Sequence, residues 1–257
     1  LENGANTSFV NQIENPDIDI EHIVQNPVTF WLELSDTEKT GVPLPIDLFG
    51  KERRNSEGFN LADTEQLYSL QKRLDELSGI VHHAGPLING KCPAGFERVI
   101  VNPADHSHKV GTVAFCGADI VTDALDTASE AFDAWRSTNV QKRARYLNNA
   151  ADLFEYNRTE LVSLCVREGG RTIKDALADV REAVDFCRYY AARALELFDR
   201  PMALPGPCGE DNFLTYYGRG VFLCISPWNF PIAIFTGQIA AALAAGNTVV
   251  AKPAEAT

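Results

Sequence analysis

Apolar residues recur along this chain with two different periods, and the change of period divides it into elements. From Asp119 to Asp199 they return every three or four positions, as in helices that bury one stripe. Asp119 to Ser137 carries Ile120, Ala124, Ala128, Ala131 and Trp135 on one face, and Val140 to Tyr156 carries Leu147, Ala150, Leu153 and Phe154. Thr159 to Arg167 is shorter and ends at Gly169-Gly170. Ile173 to Asp199 is the longest, with Leu177, Val180, Val184, Cys187, Ala191, Ala194 and Phe198 in one stripe. Earlier, Leu67, Leu70, Leu74 and Leu77 predict a helix from Leu61 to about Ser78, and Asp17 to Thr29 predicts a short one ended by Asn26-Pro27. Between these helices, Pro86 to Lys91 and Glu97 to Asn102 alternate as strands around a turn at Gly90 to Gly95, with Val110 to Phe115 as a third. His82-His83 would face opposite sides of a strand, so they read as ordinary polar residues. Gly41 to Glu57, rich in proline, glycine and charge, reads as a surface linker in which Arg53-Arg54 are solvated.

The final forty residues follow another pattern. Val221 to Ile225 is a short β-branched and aromatic run, read as a buried strand that stops at Ser226-Pro227. Pro231 stands where a first helical turn would open. Ile232 to Ala245 is small and apolar nearly all round, which predicts a buried helix packed closely on a sheet. Gly246-Asn247 stop it, and Thr248 to Ala251 is a second buried strand. Strand, helix, strand implies a parallel pair with a right-handed crossover, and ligands of such sheets bind outside the carboxyl ends of the strands. Two polar clusters stand at those ends: Ser226-Pro227-Trp228-Asn229 and Lys252-Pro253-Ala254-Glu255.

Composition narrows the function classes. The 257 residues make room for one large or two small domains, and 45% hydrophobic with 23% charged residues is ordinary for a globular protein. A formal charge of -12 argues against nucleic-acid binding by this segment, because no basic field attracts phosphate. Ile232 to Ala245 is too short and too alanine-rich to span a bilayer, and Leu1-Glu2-Asn3-Gly4 lacks the basic start of a signal peptide. Six scattered cysteines without a C-x-x-C read as reduced cytosolic thiols. Cys165, Cys187 and Cys224 fall on apolar faces, and none of the six has the neighbours that would make it a nucleophile. Asn6-Thr7-Ser8 and Asn157-Arg158-Thr159 match the glycosylation sequon by chance in such a chain.

The wording of the crossover unit is specific. I-S-P-W-N-F-P, a Gly/Ala-rich helix, A-A-G-N-T-V-V-A-K-P and a glutamate, in that order, resemble the aldehyde dehydrogenase superfamily, and the resemblance runs from about Pro86 to the C-terminus. No G-x-G-x-x-G occurs, so an ordinary Rossmann fingerprint is not its basis. The resemblance implies an α/β fold, a Rossmann-type parallel sheet with helices preceded by a β-meander and long helices, here truncated. Upstream, L-E-N-G-A-N-T-S-F-V-N-Q-I, R-R-N-S-E-G-F-N-L and E-A-V-D-F-C-R-Y-Y-A resemble the proline utilization A family. Its members join a flavin-dependent proline dehydrogenase to a dehydrogenase of L-glutamate γ-semialdehyde, the aldehyde form of 1-pyrroline-5-carboxylate. The implied domains are residues 1–40 as the end of the proline dehydrogenase barrel, 41–80 as inter-module linker and helix, and 81–257 as the N-terminal half of the NAD-binding aldehyde dehydrogenase domain. The family's paired arginines for the proline carboxylate are absent, and the glutamate that approaches the flavin matches Glu2, which reads here as part of a frayed N-terminal helix.

The resemblance also assigns roles. An aldehyde becomes a hydride donor once a thiolate adds to it, and the resulting oxyanion needs a fixed hydrogen-bond donor. Asn229 matches that donor, with capping of the helix opened by Pro231 as its alternative. Lys252 and Glu255 match the residues that hold the adenosine ribose hydroxyls of NAD, a glutamate there disfavouring the 2′-phosphate of NADP. The backbone of Ile225, Ser226, Pro227 and Trp228 lines the same groove in relatives. Glu182 matches a residue facing the aldehyde tunnel, or else is a solvated helix charge. Phe230 matches an apolar wall of the aldehyde pocket, or else is core packing. The nucleophilic cysteine, the general-base glutamate and a glycine-rich pyrophosphate turn belong to positions after Thr257, so this segment alone is expected to be inert. NAD is the implied cofactor of this module, FAD that of the other. The implied partners are a small aldehyde, a second copy of the protein in a homo-oligomer and, for the whole protein, a peripheral membrane surface, with no nucleic acid through this segment and a cytoplasmic location. An aldehyde dehydrogenase of another substrate class and a non-catalytic scaffold of the same fold stay open as alternatives.

Overall fold

The computed structural model describes residues 9–33 and 43–255, so Glu2, the Asn6 sequon and Thr257 lie outside the described residues. They fall into two compact units that divide between Leu44 and Pro45.

The first unit is helical. Its elements are α1 (Phe9–Glu14), α2 (Ile20–Val24) and α3 (Pro27–Glu33). The side chain of Asp19 caps α2 by accepting from the N–H of Glu21, 3.0 Å away. Asn26 does the same for the next helix, accepting from the N–H of Val28 at 2.9 Å. Asn26-Pro27 therefore ends one helix and begins another, because proline suits a first helical turn whose N–H has no partner to lose.

The second unit opens with a 3-10 turn at Pro45–Asp47 and runs α4 (Thr64–Leu77), β1 (His82–Ala84), β2 (Phe96–Asn102), β3 (Asp105–Phe115), α5 (Ala118–Arg136), α6 (Val140–Tyr156), α7 (Arg158–Arg167) and α8 (Ile173–Phe198). It continues through β4 (Met202–Leu204), β5 (Asn212–Leu214), β6 (Val221–Ile225), α9 (Ala233–Ala244) and β7 (Thr248–Lys252). The predicted α5 to α8 lie within a residue or so of those formed. The stripe on α8 is buried as expected, whereas Ala131 on α5 and Leu153 on α6 face solvent.

The strands depart further from the pattern than the helices do. Pro86 to Lys91 is not a strand: Asn89 and Gly90 both take positive φ, and Ile88 and Lys91 exchange backbone hydrogen bonds of 2.9 Å across a tight turn. His82-His83 belong instead to β1, which lies parallel to β3, while β2 pairs antiparallel to β3 in a sheet of order β1-β3-β2. The short antiparallel pair β4–β5, in a Pro/Gly-rich segment, was not legible as strands.

The helices pack around α8. One core cluster joins α6, α8 and α9 through Val140, Ala144, Leu147, Val184, Cys187, Ala191 and Ala240; a second joins α4, α7 and α8 through Leu70, Val162, Cys165, Leu177 and Val180. Val180 and Val184 are fully buried, each contributing about 1.5–3 kcal/mol. The expected surface linker is pinned down too. Ser56 donates to Asp185 from its N–H and its hydroxyl, both at 2.8 Å, and Arg188 donates to the carbonyl of Asn55 at 3.0 Å. Buried Arg188 also pairs with Asp152 at 2.9 Å and Glu155 at 2.7 Å. Arg53 packs over Phe49 and beside Asp185, so only Arg54 keeps the solvated character read for both.

Candidate active site at the ends of the parallel strands

β6 and β7 pair in parallel, with Ile225 and Lys252 as register partners at their carboxyl ends. α9 crosses between them. Its residues are small because it lies close to α8: a Cβ on Gly237 would stand 2.9 Å from the ring of Phe186. The C-terminal carbonyls of α9, which have no partner within the helix, are satisfied from outside. Trp135 donates its indole N–H to Leu243 at 3.1 Å, Arg143 donates Nε to Ala244 at 3.2 Å, and Asn247 donates Nδ2 to Ala242 at 3.2 Å. The oxygen of Asn247 accepts from the N–H groups of Arg219 and Gly220, tying the start of β6 to the end of α9. Gly246 takes φ +84, the left-handed conformation of a helix end, and a Cβ on Gly218 would stand 2.3 Å from its carbonyl oxygen.

The strands differ from the buried runs expected. Cys224 and Thr248 are buried, but Phe222, Leu223 and Ile225 are exposed. β6 has one hydrogen-bonded neighbour among the described residues, and α9 packs against the pair. Apolar composition records what a strand can bury, not whether a layer is present on each face.

The site loop is held at several points. The N–H of Ser226 donates to the carbonyl of Lys252 at 3.2 Å, which joins the two strand ends. Ser226 is buried and its hydroxyl donates to Gln238 of α9 at 3.2 Å, while Gln238 donates back to the carbonyl of Ile225 at 3.2 Å. Trp228 is exposed, Pro227 is half-buried, and Asn229 is exposed on the turn that follows. Among the described residues the Asn229 side chain makes no hydrogen bond, and the helix-capping alternative for it is not realised. Asp179 of α8 takes that role, its carboxylate accepting from the N–H groups of Ile232 and Ala233, each at 3.2 Å. Phe230 is half-buried, with the guanidinium of Arg171 5.2 Å from its ring centre. Arg171 also donates to the backbone carbonyl of Asn229.

Lys252 and Glu255 are both exposed, and Glu255 forms an ion pair of 3.2 Å with Arg98 of β2. Glu182 lies one helical turn beyond Asp179 on α8, so the two share a face. Glu182 is exposed, yet desolvation by its surroundings, and secondarily the charge of Asp179, lift its carboxyl above its ordinary range. Asp179 is itself raised, chiefly by burial, against the lowering effect of its two backbone donors and Arg171. The buried thiols are poor nucleophiles: burial pushes Cys165 up to about 12 and Cys187 up to about 11, and raises Cys224 as well.

Arg171, Asp179 and Gln238 were missed in the sequence. For Asp179 a signal existed: a carboxylate within the apolar stripe of α8, between Ala176 and Ala183, must find donors to be buried there. Arg171 and Gln238 carried none, since an arginine after Gly-Gly and a glutamine in an apolar helix have many uses.

The chain is similar to several known proteins. The family profile described as "Aldehyde dehydrogenase family" matches residues 95–257. The bifunctional protein PutA of Escherichia coli (strain K12) is 42% identical over 263 aligned positions, which cover 100% of this chain and 19% of that protein. A 1-pyrroline-5-carboxylate dehydrogenase of Anoxybacillus flavithermus is 43% identical over 159 positions, covering 62% of this chain and 31% of the relative. The solved structure of a 1-pyrroline-5-carboxylate dehydrogenase from Thermus with bound NAD superposes with a TM-score of 0.72 and 37% identity, over 79% of this chain and 40% of that one. The chain thus spans about a fifth of the length of the bifunctional relative it matches.

Proposed function

This chain belongs to the aldehyde dehydrogenase family, and from that premise we propose that it forms part of an NAD-dependent dehydrogenase of L-glutamate γ-semialdehyde. We infer further that the protein carrying it also holds an FAD-dependent proline dehydrogenase, so that the two activities take proline to glutamate. The observation that carries the reading is the meeting of two clusters at adjacent parallel strand ends, with Ile225 opposite Lys252 and Asn229 on the turn beyond. The whole-chain likeness to PutA and the likeness to 1-pyrroline-5-carboxylate dehydrogenase support the substrate. The NAD in the Thermus relative supports the cofactor.

The residues present fit a dinucleotide. Lys252 offers an exposed donor beside the exposed apolar side chain of its register partner Ile225, and Glu255 offers an exposed carboxylate, as a ribose and its base require. In this reading Glu255 accepts hydrogen bonds from the ribose hydroxyls and Lys252 donates to them. The cofactor, when bound, supplies the hydride acceptor. Asn229 donates its amide N–H to the oxygen of the aldehyde as negative charge develops there. An amide suits this work because it is neutral and transfers no proton, and a preorganised donor strengthens where charge appears in the transition state. Phe230 walls the pocket, and Glu182 faces the substrate from α8.

The test is NADH formation by the protein that carries this chain. L-glutamate γ-semialdehyde should be oxidised with a kcat/KM well above that of simple aliphatic aldehydes. Equal specificity for both sinks the substrate assignment, and no NADH from any aldehyde favours a scaffold without catalysis.

A further inference from the structure

We propose that Asp179 and Arg171 are positioning residues for Asn229, gripping the backbone at that residue and just after it. This rests on the reading of Asn229 as the oxyanion donor. Asn229 lies in a short turn between the end of β6 and the start of α9, and it is exposed. Among the described residues, no hydrogen bond within the turn holds its side chain. The fixing comes from α8 and from the residue just before its cap. Asp179, almost fully buried, accepts the N–H groups of Ile232 and Ala233, so the first turn of α9 cannot rotate or slide without losing two bonds to one carboxylate. Arg171 donates to the carbonyl of Asn229 itself, and its guanidinium lies over the ring of Phe230, 5.2 Å from its centre. Ile232 adds an apolar anchor, packed against the cluster of Leu177 and Val180.

The two grips are complementary. Asp179 holds the chain three residues after Asn229 and Arg171 holds it at the residue, so together they leave little freedom between Asn229 and the helix. A carboxylate in the apolar stripe of α8 is costly to bury, and two aimed N–H groups offset that cost only with the turn in this conformation. An oxyanion donor works only if it is in place before charge develops. Looseness in this turn should therefore appear in the chemical step rather than in cofactor binding.

The experiment uses the protein that carries this chain, with Asp179→Asn, Arg171→Ala, Arg171→Lys, Asn229→Ala, and the first two each combined with Asn229→Ala. Steady-state kcat, KM for NAD and thermal unfolding are measured for each. Asp179→Asn keeps the shape but weakens the grip on two N–H groups, and Arg171→Ala removes a half-exposed side chain, so one folded variant is secured even if the other is unstable. The expected result is a fall in kcat on the order of tenfold to a hundredfold for each, since ångström-scale misplacement of a catalytic group costs up to about 100-fold. KM for NAD should hold, and Arg171→Lys, which keeps a donor, should recover part of the loss. Added to Asn229→Ala, neither change should lower kcat further, because a residue acting through Asn229 has nothing left to position. A merely structural role would lower the unfolding temperature and leave kcat per folded molecule unchanged. That outcome, or losses that multiply in the double variants, overturns the inference while leaving the role of Asn229 intact. Full activity in Asn229→Ala overturns the oxyanion reading first and this inference with it.

Discussion

The N–H of Ser226 donates to the carbonyl of Lys252 across 3.2 Å, and this bond joins the two halves of the candidate site. One half is the turn that carries Asn229, the other the segment that carries Lys252 and Glu255. Because β6 and β7 are parallel and in register, a residue leaving one strand end is about 5 Å from its counterpart leaving the other. In the proposed reading, a nicotinamide cofactor that reaches both halves would lie along that edge.

Glu255 should set the choice between NAD and NADP. Its exposed carboxylate would accept from a free ribose hydroxyl and repel a phosphate in that place. Glu255→Ala should raise KM for NAD and narrow the ratio of kcat/KM between NAD and NADP, while kcat at saturating NAD stays close to the parent value. An unchanged ratio removes Glu255 from the cofactor site.

Asn247 should be a point of structural weakness. Its buried side chain takes two backbone donors from Arg219-Gly220 and gives one bond to Ala242, so truncation leaves two partly buried N–H groups without this acceptor. Asn247→Ala should destabilise the domain by about 1–3 kcal/mol, the range for a donor left without its acceptor where water reaches it poorly. Gly218→Ala should act at the same junction, by steric collision with the carbonyl of Gly246. Denaturant unfolding measures both, and changes under about 0.5 kcal/mol, the usual range for surface substitutions, would contradict this account of the junction.

Much of this was legible in the sequence, and the reasons are local. The 3.6-residue period of α5 to α8 survives any tertiary context that buries one face, so Val140 to Tyr156 could be bounded from the pattern alone. The strand–helix–strand unit was legible because proline, Gly-Asn and the change from β-branched to small residues mark its joints. β1 was hidden because His82-His83-Ala84 has no apolar alternation; its place depends on a parallel partner in β3 some thirty residues away. Pro86 to Lys91 misled because alternation does not reveal the positive φ of Asn89 and Gly90. The polar grip on the site loop was hidden for a similar reason. Asp179 and Arg171 reach it from more than fifty residues away, and no spacing rule links them to Asn229.

Stability should fall with rising pH through the titration of Glu168. Burial, opposed by the charge of His82, raises its carboxyl above the ordinary glutamate value. The folded state therefore holds this proton at pH values where the unfolded chain has released it. The stabilisation is fully present below the unfolded value, is lost as pH rises from that value through the raised one, and is constant beyond. Glu168→Gln should flatten that part of the curve of unfolding free energy against pH. A parallel curve for the variant would assign the slope to other groups.

Thiol reactivity should divide the six cysteines into two sets. Cys92, Cys116 and Cys208 are exposed, whereas Cys165, Cys187 and Cys224 are buried and raised by burial. Brief alkylation of the native protein at neutral pH, followed by peptide mass mapping, should label the first set and spare the second. Labelling of Cys224 as fast as Cys208 would mean that the β6–α9 contact opens readily.

The central claim is that Asn229 stabilises charge on the aldehyde oxygen during NAD-dependent oxidation, and Asn229→Ala in the protein that carries this chain tests it most directly. Loss of one oxyanion donor should lower kcat about a hundredfold or more with little change in KM for NAD. A loss of less than about threefold, too little for removal of an oxyanion donor, would contradict the claim.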